Sequence, residues 1–215
     1  MSDSDRELPL FPLEQVVLFP GVPLPLRIFE ERYKVMIGSC QVTDRLFGVL
    51  LIRTGHEVGT PATPERVGCT ARMVRVERLP DGRMNILTVG EQRFRLLGSA
   101  RVMPDGYLVG DVRFLPDATG VVQDELVSAV VDEFGKYQTA VLSASRRESP
   151  LPLPEVPREP LPLSYHVAAG LHIHPRERQQ LLELDDVASR LERELDLLRR
   201  ENRPPAASIG PFSRN

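Results

Sequence analysis

Short apolar segments separated by turn residues fill the first half of the chain, whereas the second half carries longer amphipathic segments. The near-continuous apolar run 46–53 has the length and composition of a strand that is buried on both faces. Further strands are predicted over 67–79, 84–89, 93–97 and 107–115. Gly90 is expected to break the chain between the middle two of these segments.

Two tight turns connect the predicted strands. Asp81-Gly82 and Asp105-Gly106 each supply residues that tolerate positive φ, as short hairpin turns require. Short strands with turns at this spacing are typical of a closed or nearly closed barrel with mainly antiparallel pairing.

The opening stretch, residues 8–33, is apolar and rich in proline. Pro20 and Gly21 predict a turn, because proline presets φ and glycine tolerates positive φ. Pro23 and Pro25 cannot donate backbone hydrogen bonds, so the run that contains them is expected at a sheet edge.

Helical periodicity appears in one early segment and in most of the chain after residue 116. The early helix is predicted over 30–41, where acidic residues suit the positive end of the helix dipole. A long helix is predicted to begin near Val121, with Asp117 or Thr119 as its cap. Its apolar stripe consists of Leu126, Val130, Phe134, Tyr137 and Val141.

Proline density in residues 149–162 predicts a long extended loop between helices. After this loop, a short helix is predicted over 163–171 with Ser164 as a cap. His174 and Pro175 are expected to open the next helix, because proline fits the first helical position.

The last helix is predicted to begin after a cap at Asp185 or Asp186. Its apolar face consists of Val187, Leu191, Leu195 and Leu198. About two heptads are short for a coiled coil, so this face is expected to pack against the long helix instead. These elements predict a barrel subdomain over 1–116, a helical subdomain over 117–202 and a disordered tail over 203–215.

Composition changes this picture little. The chain has 215 residues, a net charge of −3 and 41% hydrophobic residues, which predicts a packed globular protein and argues against binding driven by phosphate neutralisation. Cys40 and Cys69 do not form a disulfide framework, and no apolar run has transmembrane length. The N-terminus lacks the basic and apolar regions of a secretion signal, so a cytoplasmic location is expected.

Three segments occur together in a characteristic order. The opening stretch contains Leu-Phe-Pro-Leu at 10–13, Leu-Phe-Pro-Gly at 18–21 and Ile-Phe-Glu-Glu-Arg-Tyr at 28–33. Gly-Glu-Gln-Arg-Phe-Arg-Leu-Leu follows at 90–97, and Arg-Gln-Gln-Leu-Leu-Glu at 178–183. Together they resemble the N-terminal substrate-recognition domain of the Lon protease family across roughly residues 8–200. The Lon-like portion of cereblon is a more distant resemblance.

The resemblance implies an α+β fold, with a PUA-like β-barrel followed by a helical bundle. It also implies a non-catalytic module that binds unfolded or extended polypeptide or a partner protein, as an adaptor in protein quality control. We expect no cofactor and no membrane partner, and a monomer or weak homodimer.

Catalytic signatures of the full Lon protease are missing from the sequence. No phosphate-binding Gly-x-x-x-x-Gly-Lys-Ser/Thr motif occurs. A Ser-Lys dyad would need Lys34 or Lys136, and both fall in predicted helices with ordinary surface surroundings. The expectation is therefore a protein that is not an enzyme.

The candidate peptide-binding residues are the large apolar side chains of the barrel, of which at most two are expected to be exposed. They are Phe11, Phe19, Phe29, Tyr33, Phe47 and Phe94. The residues of the family signature with an architectural role are Pro20, Gly21, Glu30, Arg32, Gly90 and Arg93.

Two other functions are weighed against peptide binding. An RNA-binding PUA-like module would use a basic stripe made of Arg72, Arg75, Arg78, Arg93 and Arg95, whereas an ordinary strand would pair such residues with Glu77 and Glu91. A hydrolase with an unrecognised site would need a pocket that joins a histidine, a carboxylate and a nucleophile. His166, His172 and His174 lack metal-ligand spacing, so no metal is expected.

Overall fold

The computed structural model describes residues 5–56, 62–118, 120–144 and 155–203. The strands are β1 (Arg6–Leu13), β2 (Pro23–Ile28), β3 (Leu46–Thr54), β4 (Thr63–Pro64), β5 (Val67–Arg78), β6 (Met84–Val102) and β7 (Leu108–Phe114). The helices are α1 (Glu31–Val42), α2 (Asp124–Ala144), α3 (Pro160–Gly170), α4 (Pro175–Glu183) and α5 (Val187–Glu201). The predicted α+β class, a mainly antiparallel β-barrel followed by a helical bundle, is confirmed.

Five strands close the barrel in the order β1-β7-β6-β5-β3, and β3 returns to β1. The closing β1–β3 pair is parallel, with Leu10 opposite Gly48, whereas the other ring pairs are antiparallel. Short β4 pairs with β3, and β2 pairs with β6. The first strand therefore has neighbours on both sides, which explains why the apolar opening of the chain is ordered.

β6 is one continuous strand, so the predicted chain break at Gly90 is wrong. Glycine is needed there because the Pro20–Gly21 turn lies directly on the strand. The Gly21 N–H donates to the Gly90 carbonyl at 2.8 Å, and the Gly90 N–H donates to the Val22 carbonyl at 2.9 Å. A Cβ at Gly90 would lie 2.2 Å from the Phe19 carbonyl oxygen.

Helix α1 follows β2 closely, as predicted. Glu30 occupies the N-cap position without a capping hydrogen bond, and its carboxylate instead accepts from Arg32 at 3.0 Å. Arg45 follows the end of this helix, has φ +61° and is the single non-glycine residue with positive φ in the described part of the chain. The Arg45 N–H donates to the Cys40 carbonyl, and the Arg45 carbonyl accepts from Met73.

Two predicted helix starts are wrong. Helix α2 begins at Asp124 rather than near Val121, and the proposed cap Asp117 is bound to arginines instead; Thr119 lies outside the described residues. Helix α3 begins at Pro160, inside the predicted loop 149–162, because the missing N–H of proline is not needed in a first helical turn. The proposed cap Ser164 is buried within that helix.

The later helix starts agree with the predictions. His174 Nδ1 accepts from the Arg176 N–H, and Asp186 accepts from the Ser189 N–H. Helix α5 packs against α2 and α3, so the expected packing of its apolar face is confirmed. Within the described residues, no helix is long and apolar enough to cross a lipid bilayer.

One hydrophobic core is shared between the barrel and the helices. The barrel contributes Val17, Phe19, Leu51 and Val67 to the same buried cluster as the apolar faces of α2, α3, α4 and α5. The predicted boundary at residue 116 falls between β7 and α2, but packing continues across it. Residues 145–154, which include the first part of the predicted loop, and the predicted tail from residue 204 onward lie outside the described residues.

Replacing Gly90 by alanine is expected to lower the free energy of unfolding by about 2–4 kcal/mol, because the new Cβ displaces the turn at Phe19. Urea unfolding followed by circular dichroism measures the change. The matched control is Gly38→Ala in α1, where nothing lies within 4 Å of a new Cβ and alanine should stabilise the helix by about 0.5–1 kcal/mol. Equal effects at both glycines would contradict the close contact at Gly90.

Candidate functional site

Five of the six candidate aromatic residues are buried, within the expectation that at most two are exposed, and these five are not available as contact residues for a peptide. The buried residues are Phe11, Phe19, Tyr33, Phe47 and Phe94. Their rings fill the interior; Phe11, for example, has its ring centroid 4.3 Å from that of Tyr33. Phe29, which follows β2, is 54% exposed and stays a candidate.

Arg93 of β6 is completely buried at the junction between the barrel and the helices. Its Nε donates to Asp117 at 3.0 Å, and its Nη1 donates to Asp185 at 3.0 Å. The same Nη1 also donates to the carbonyls of Leu182 and Leu184, and Nη2 donates to the Pro116 carbonyl. Arg93 therefore does not face outward, as a basic RNA-binding stripe would require.

A second buried guanidinium, that of Arg190 in α5, lies beside the first. It donates to Asp117 at 3.3 Å and to the Ser164 hydroxyl at 2.9 Å, and it lies 4.4 Å from the ring centroid of Tyr165. The Tyr165 hydroxyl donates to Asp117 as well. Burial, together with this hydrogen bond, raises the pKa of Tyr165, so its phenol stays protonated at neutral pH.

Arg93, Asp117, Tyr165, Asp185 and Arg190 together form what we call the junction network. Sequence reasoning missed it, since it treated Asp117 and Asp185 as helix caps. Two features of the sequence could have indicated the network. Arg93 lies inside an apolar predicted strand, and of the adjacent Asp185 and Asp186 only Asp186 caps the helix. Both guanidinium groups of the network are buried. Its role is therefore to join the barrel to the helices.

Glu194 lies one helical turn beyond Arg190 and is fully buried. Neither of its carboxyl oxygens has a hydrogen-bond partner within the described residues. Burial raises the pKa of Glu194 well above its ordinary value of 4.5, although the nearby Arg190 charge opposes this. Burial therefore favours the neutral, protonated form of this side chain in the folded protein.

The accessible candidate surface is the outer face of the arm formed by β2, β6 and β5. Along β2 the exposed positions alternate with half-buried ones, and they include Pro23 and Pro25. Leu87 of β6 lies between Pro25 and the β5 strand and is 37% exposed. We call this surface the apolar face; its apolar residues are Pro23, Pro25, Val74, Leu87 and, directly after β2, Phe29, and the exposed residues Arg27, Arg75 and Asn85 share the same face.

Val74 reaches the apolar face because β5 contains a bulge. Met73 pairs with Thr88 and Arg75 pairs with Leu87, so Val74 is an extra residue without an opposite partner. Strict alternation fails at the bulge, and both Val74 and Arg75 are exposed. The sequence analysis did not identify Val74 as a surface residue.

Other arginines of the proposed RNA stripe differ in their surroundings. Arg72 is paired with Glu91, as expected for an ordinary strand, and Arg78 donates to Gln41 at 3.2 Å. Arg75 and Arg95 are exposed. Because Arg93 is buried, the remaining arginines do not form the stripe that the RNA hypothesis required.

His166 and His172 lie against aromatic side chains of the helices. The ring of His166 meets Phe134 edge-on, and that of His172 lies against Tyr137. Burial lowers the pKa of His166, which favours its neutral form. In the part of the chain that the structure describes, no group of His, Cys, Asp or Glu side chains could hold a metal ion. The hydrolase hypothesis gains no support from these positions.

Residues 7–200 match the family model of the ATP-dependent protease La (LON) substrate-binding domain. The chain therefore belongs to the family of LON substrate-binding domains.

Curated relatives include the Lon protease of Roseiflexus castenholzii, which is 28% identical over 199 residues, covering 93% of this chain and 25% of that protein. The Lon protease of Desulfovibrio desulfuricans is 29% identical over 196 residues, covering 89% of this chain and 22% of that protein. The chain thus spans about a quarter of the length of these relatives.

Solved structures show the same fold. A Lon N-terminal domain protein from Xanthomonas campestris has a TM-score of 0.68 and 29% identity, with 89% of this chain and 98% of that chain covered. The N-terminal domain of a Mycobacterium avium complex Lon protease has a TM-score of 0.61 at 18% identity, with 90% of this chain and 98% of that chain covered.

Replacing Arg93 by methionine is expected to lower the free energy of unfolding by about 3–5 kcal/mol, because it removes one of the donors to Asp117 and the side-chain donor to the Leu182 and Pro116 carbonyls. Chemical denaturation measures the loss. Arg95→Met in the same strand is the control, since that side chain is exposed and its loss should change stability by less than about 0.5 kcal/mol. Similar losses for both variants would contradict the role of the junction network.

Replacing Glu194 by glutamine is expected to stabilise the protein more at pH 8 than at pH 5. The folded-state pKa of Glu194 is raised, so the unfolded chain loses this proton first and the wild-type protein loses stability as pH rises above about 4.5. The loss is about 1.4 kcal/mol for each pH unit until the folded-state pKa is reached. Thermal melts of both proteins across this range test the effect, and a difference independent of pH would contradict a neutral buried acid.

Proposed function

We propose that this chain is a non-catalytic protein-binding module that captures unfolded or extended polypeptide on the apolar face. The observation that carries the proposal is the group of exposed apolar side chains on the β2–β6–β5 arm. Leu87, which is 37% exposed, lies opposite Pro25, and Val74, which is 56% exposed, lies at the β5 bulge on the other side of β6. An apolar surface of this kind on a folded domain favours interaction with apolar segments of other chains.

The family supports the same function. Its model describes a substrate-binding domain, and the related full-length proteins are Lon proteases. Protein substrates and a role as an adaptor in protein quality control follow for this chain by analogy with the family. A cytoplasmic location agrees with this role.

The surroundings of the titratable groups support the non-catalytic part of the proposal. Lys34 is paired with Glu31 and Lys136 with Glu133, and in each pair the partners are three residues apart on one helix. Cys40 and Cys69 are buried, and burial raises the pKa of the Cys40 thiol to about 11, so it is not a reactive thiolate at neutral pH. These groups have structural roles within the described residues.

The test is capture of a permanently unfolded protein. Reduced, carbamidomethylated lactalbumin carrying a fluorophore is titrated with the wild-type chain, and anisotropy reports binding. Replacing Val74 and Leu87 together by aspartate is expected to weaken binding roughly tenfold or more, because two apolar contacts are replaced by charges that must stay hydrated.

Val102→Asp is the matched control, because Val102 is also an exposed strand valine, 53% exposed, and lies outside the apolar face. Its affinity for the probe should equal that of the wild-type chain. Binding that survives the double replacement, or that Val102→Asp weakens equally, would overturn the assignment of the apolar face.

A further inference from the structure

The outer arm of the sheet has a second free edge besides β2. β5 pairs with β3 only from Cys69 to Arg72, whereas it pairs with β6 along its whole length. At Met73 the edge away from β6 is covered by the Arg45 carbonyl, which accepts the Met73 N–H at 2.9 Å. From Val74 to Arg78 no described strand pairs on that side.

The two free edges differ in hydrogen-bonding capacity. Pro23 and Pro25 remove two backbone donors from β2, so an added chain would find few partners there. The segment from Val74 to Arg78 contains no proline, so every residue keeps its N–H and its carbonyl. The β5 edge is therefore the better template for an extended polypeptide.

A cleft of about 330 Å³ runs along this β5 edge. Its β5 side is lined by residues 73–76 and its α1 side by Gln41 and Arg45. Val74 belongs both to this cleft and to the apolar face, so the two surfaces are continuous. The lining offers apolar contacts together with polar donors.

The charge of the cleft is positive. Arg45 and Arg75 are exposed, and neither guanidinium has an ion-pair or hydrogen-bond partner among the described residues, whereas Arg72 nearby is paired with Glu91. Arg78 donates to the Gln41 Oε1 atom, which leaves the Gln41 amide group as a further donor. Among the described residues that line the cleft there is no carboxylate; Asp44, next to Arg45 in the chain, is paired with Arg6, and Glu77 lies two residues beyond Arg75 on β5.

Backbone strain supports a binding role for Arg45. A non-glycine residue with φ +61° is held there by hydrogen bonds through its N–H and its carbonyl. These contacts fix the backbone that carries the unpaired guanidinium beside the cleft. Such strained positions concentrate at functional sites.

We infer that the β5 edge cleft binds an extended polypeptide segment in which acidic side chains alternate with apolar ones. The apolar side chains contact Val74 and the apolar face, and a carboxylate binds between Arg45 and Arg75. This inference rests on the proposed function and names its substrate class. Guanidinium groups suit this ligand because they donate pairs of hydrogen bonds to a carboxylate.

The test compares three short fluorescent peptides with blocked ends. The first alternates glutamate with valine and phenylalanine, the second has lysine in place of glutamate, and the third has glutamine. The glutamate peptide should bind at least roughly tenfold more tightly than either of the others, and salt should weaken that preference. Equal binding of the three peptides would overturn the inference.

The protein variants locate the charge. Replacing Arg45 and Arg75 together by glutamine should remove the preference for the glutamate peptide, a loss of roughly tenfold or more. Arg95→Gln is the matched control, because Arg95 is an exposed strand arginine outside the cleft, and it should retain the preference. A preference that survives in the double variant would overturn the assignment of these two arginines.

Two further arms separate alternative ligands. A glutamine peptide with a free C-terminal carboxylate that binds as tightly as the glutamate peptide would overturn side-chain recognition. A short RNA that displaces the glutamate peptide at equal concentration would overturn recognition of polypeptide. Lactalbumin binding separates this inference from the proposed function. If replacing Val74 and Leu87 weakens lactalbumin binding while the Arg45 and Arg75 variant keeps the preference for the glutamate peptide, the proposed function stands and this inference fails. If neither replacement has its expected effect on binding, the proposed function fails as well.

Discussion

The buried guanidinium of Arg93 is the constraint on which the arrangement of the two halves depends. A buried charge needs charged and polar partners. The partners of Arg93 come from the segment after β7 and from the end of α4. Arg190 shares Asp117 with it, so α5 is held by the same carboxylate. The apolar cluster around these groups then packs barrel residues against helical ones, which makes the barrel and the bundle one structural unit.

Much of the fold could be predicted because local signals and the tertiary structure agree. Asp81-Gly82 and Asp105-Gly106 specify their turns by conformation alone, and Gly82 and Gly106 have positive φ as expected. Gly90 was misread because the same residue type serves either to break a strand or to admit another backbone, and only the approach of Phe19 decides between them. Short-range patterns cannot report a contact between residues that lie some seventy positions apart.

The candidate site was harder to predict for a related reason. Aromatic size indicates burial as readily as binding, and five of the six rings chosen for size lie in the core. The exposed apolar residues instead depend on strand register, which places Leu87 opposite Pro25, and on a bulge that turns Val74 outward. Register and bulges are set by pairing across the sheet, so they are not contained in the sequence of any single strand.

The pairing of β1 has a consequence for the order in which the chain can fold. β1 is made first during synthesis, yet its neighbours are β3 and β7, and β7 follows about a hundred residues later. The ring cannot close before β7 has left the ribosome, and Arg93 lacks its helical partners until residues 182–185 have followed. One edge of the apolar first strand therefore stays unpaired until β7 has been made, and folding is governed by long-range closure rather than by local helix formation.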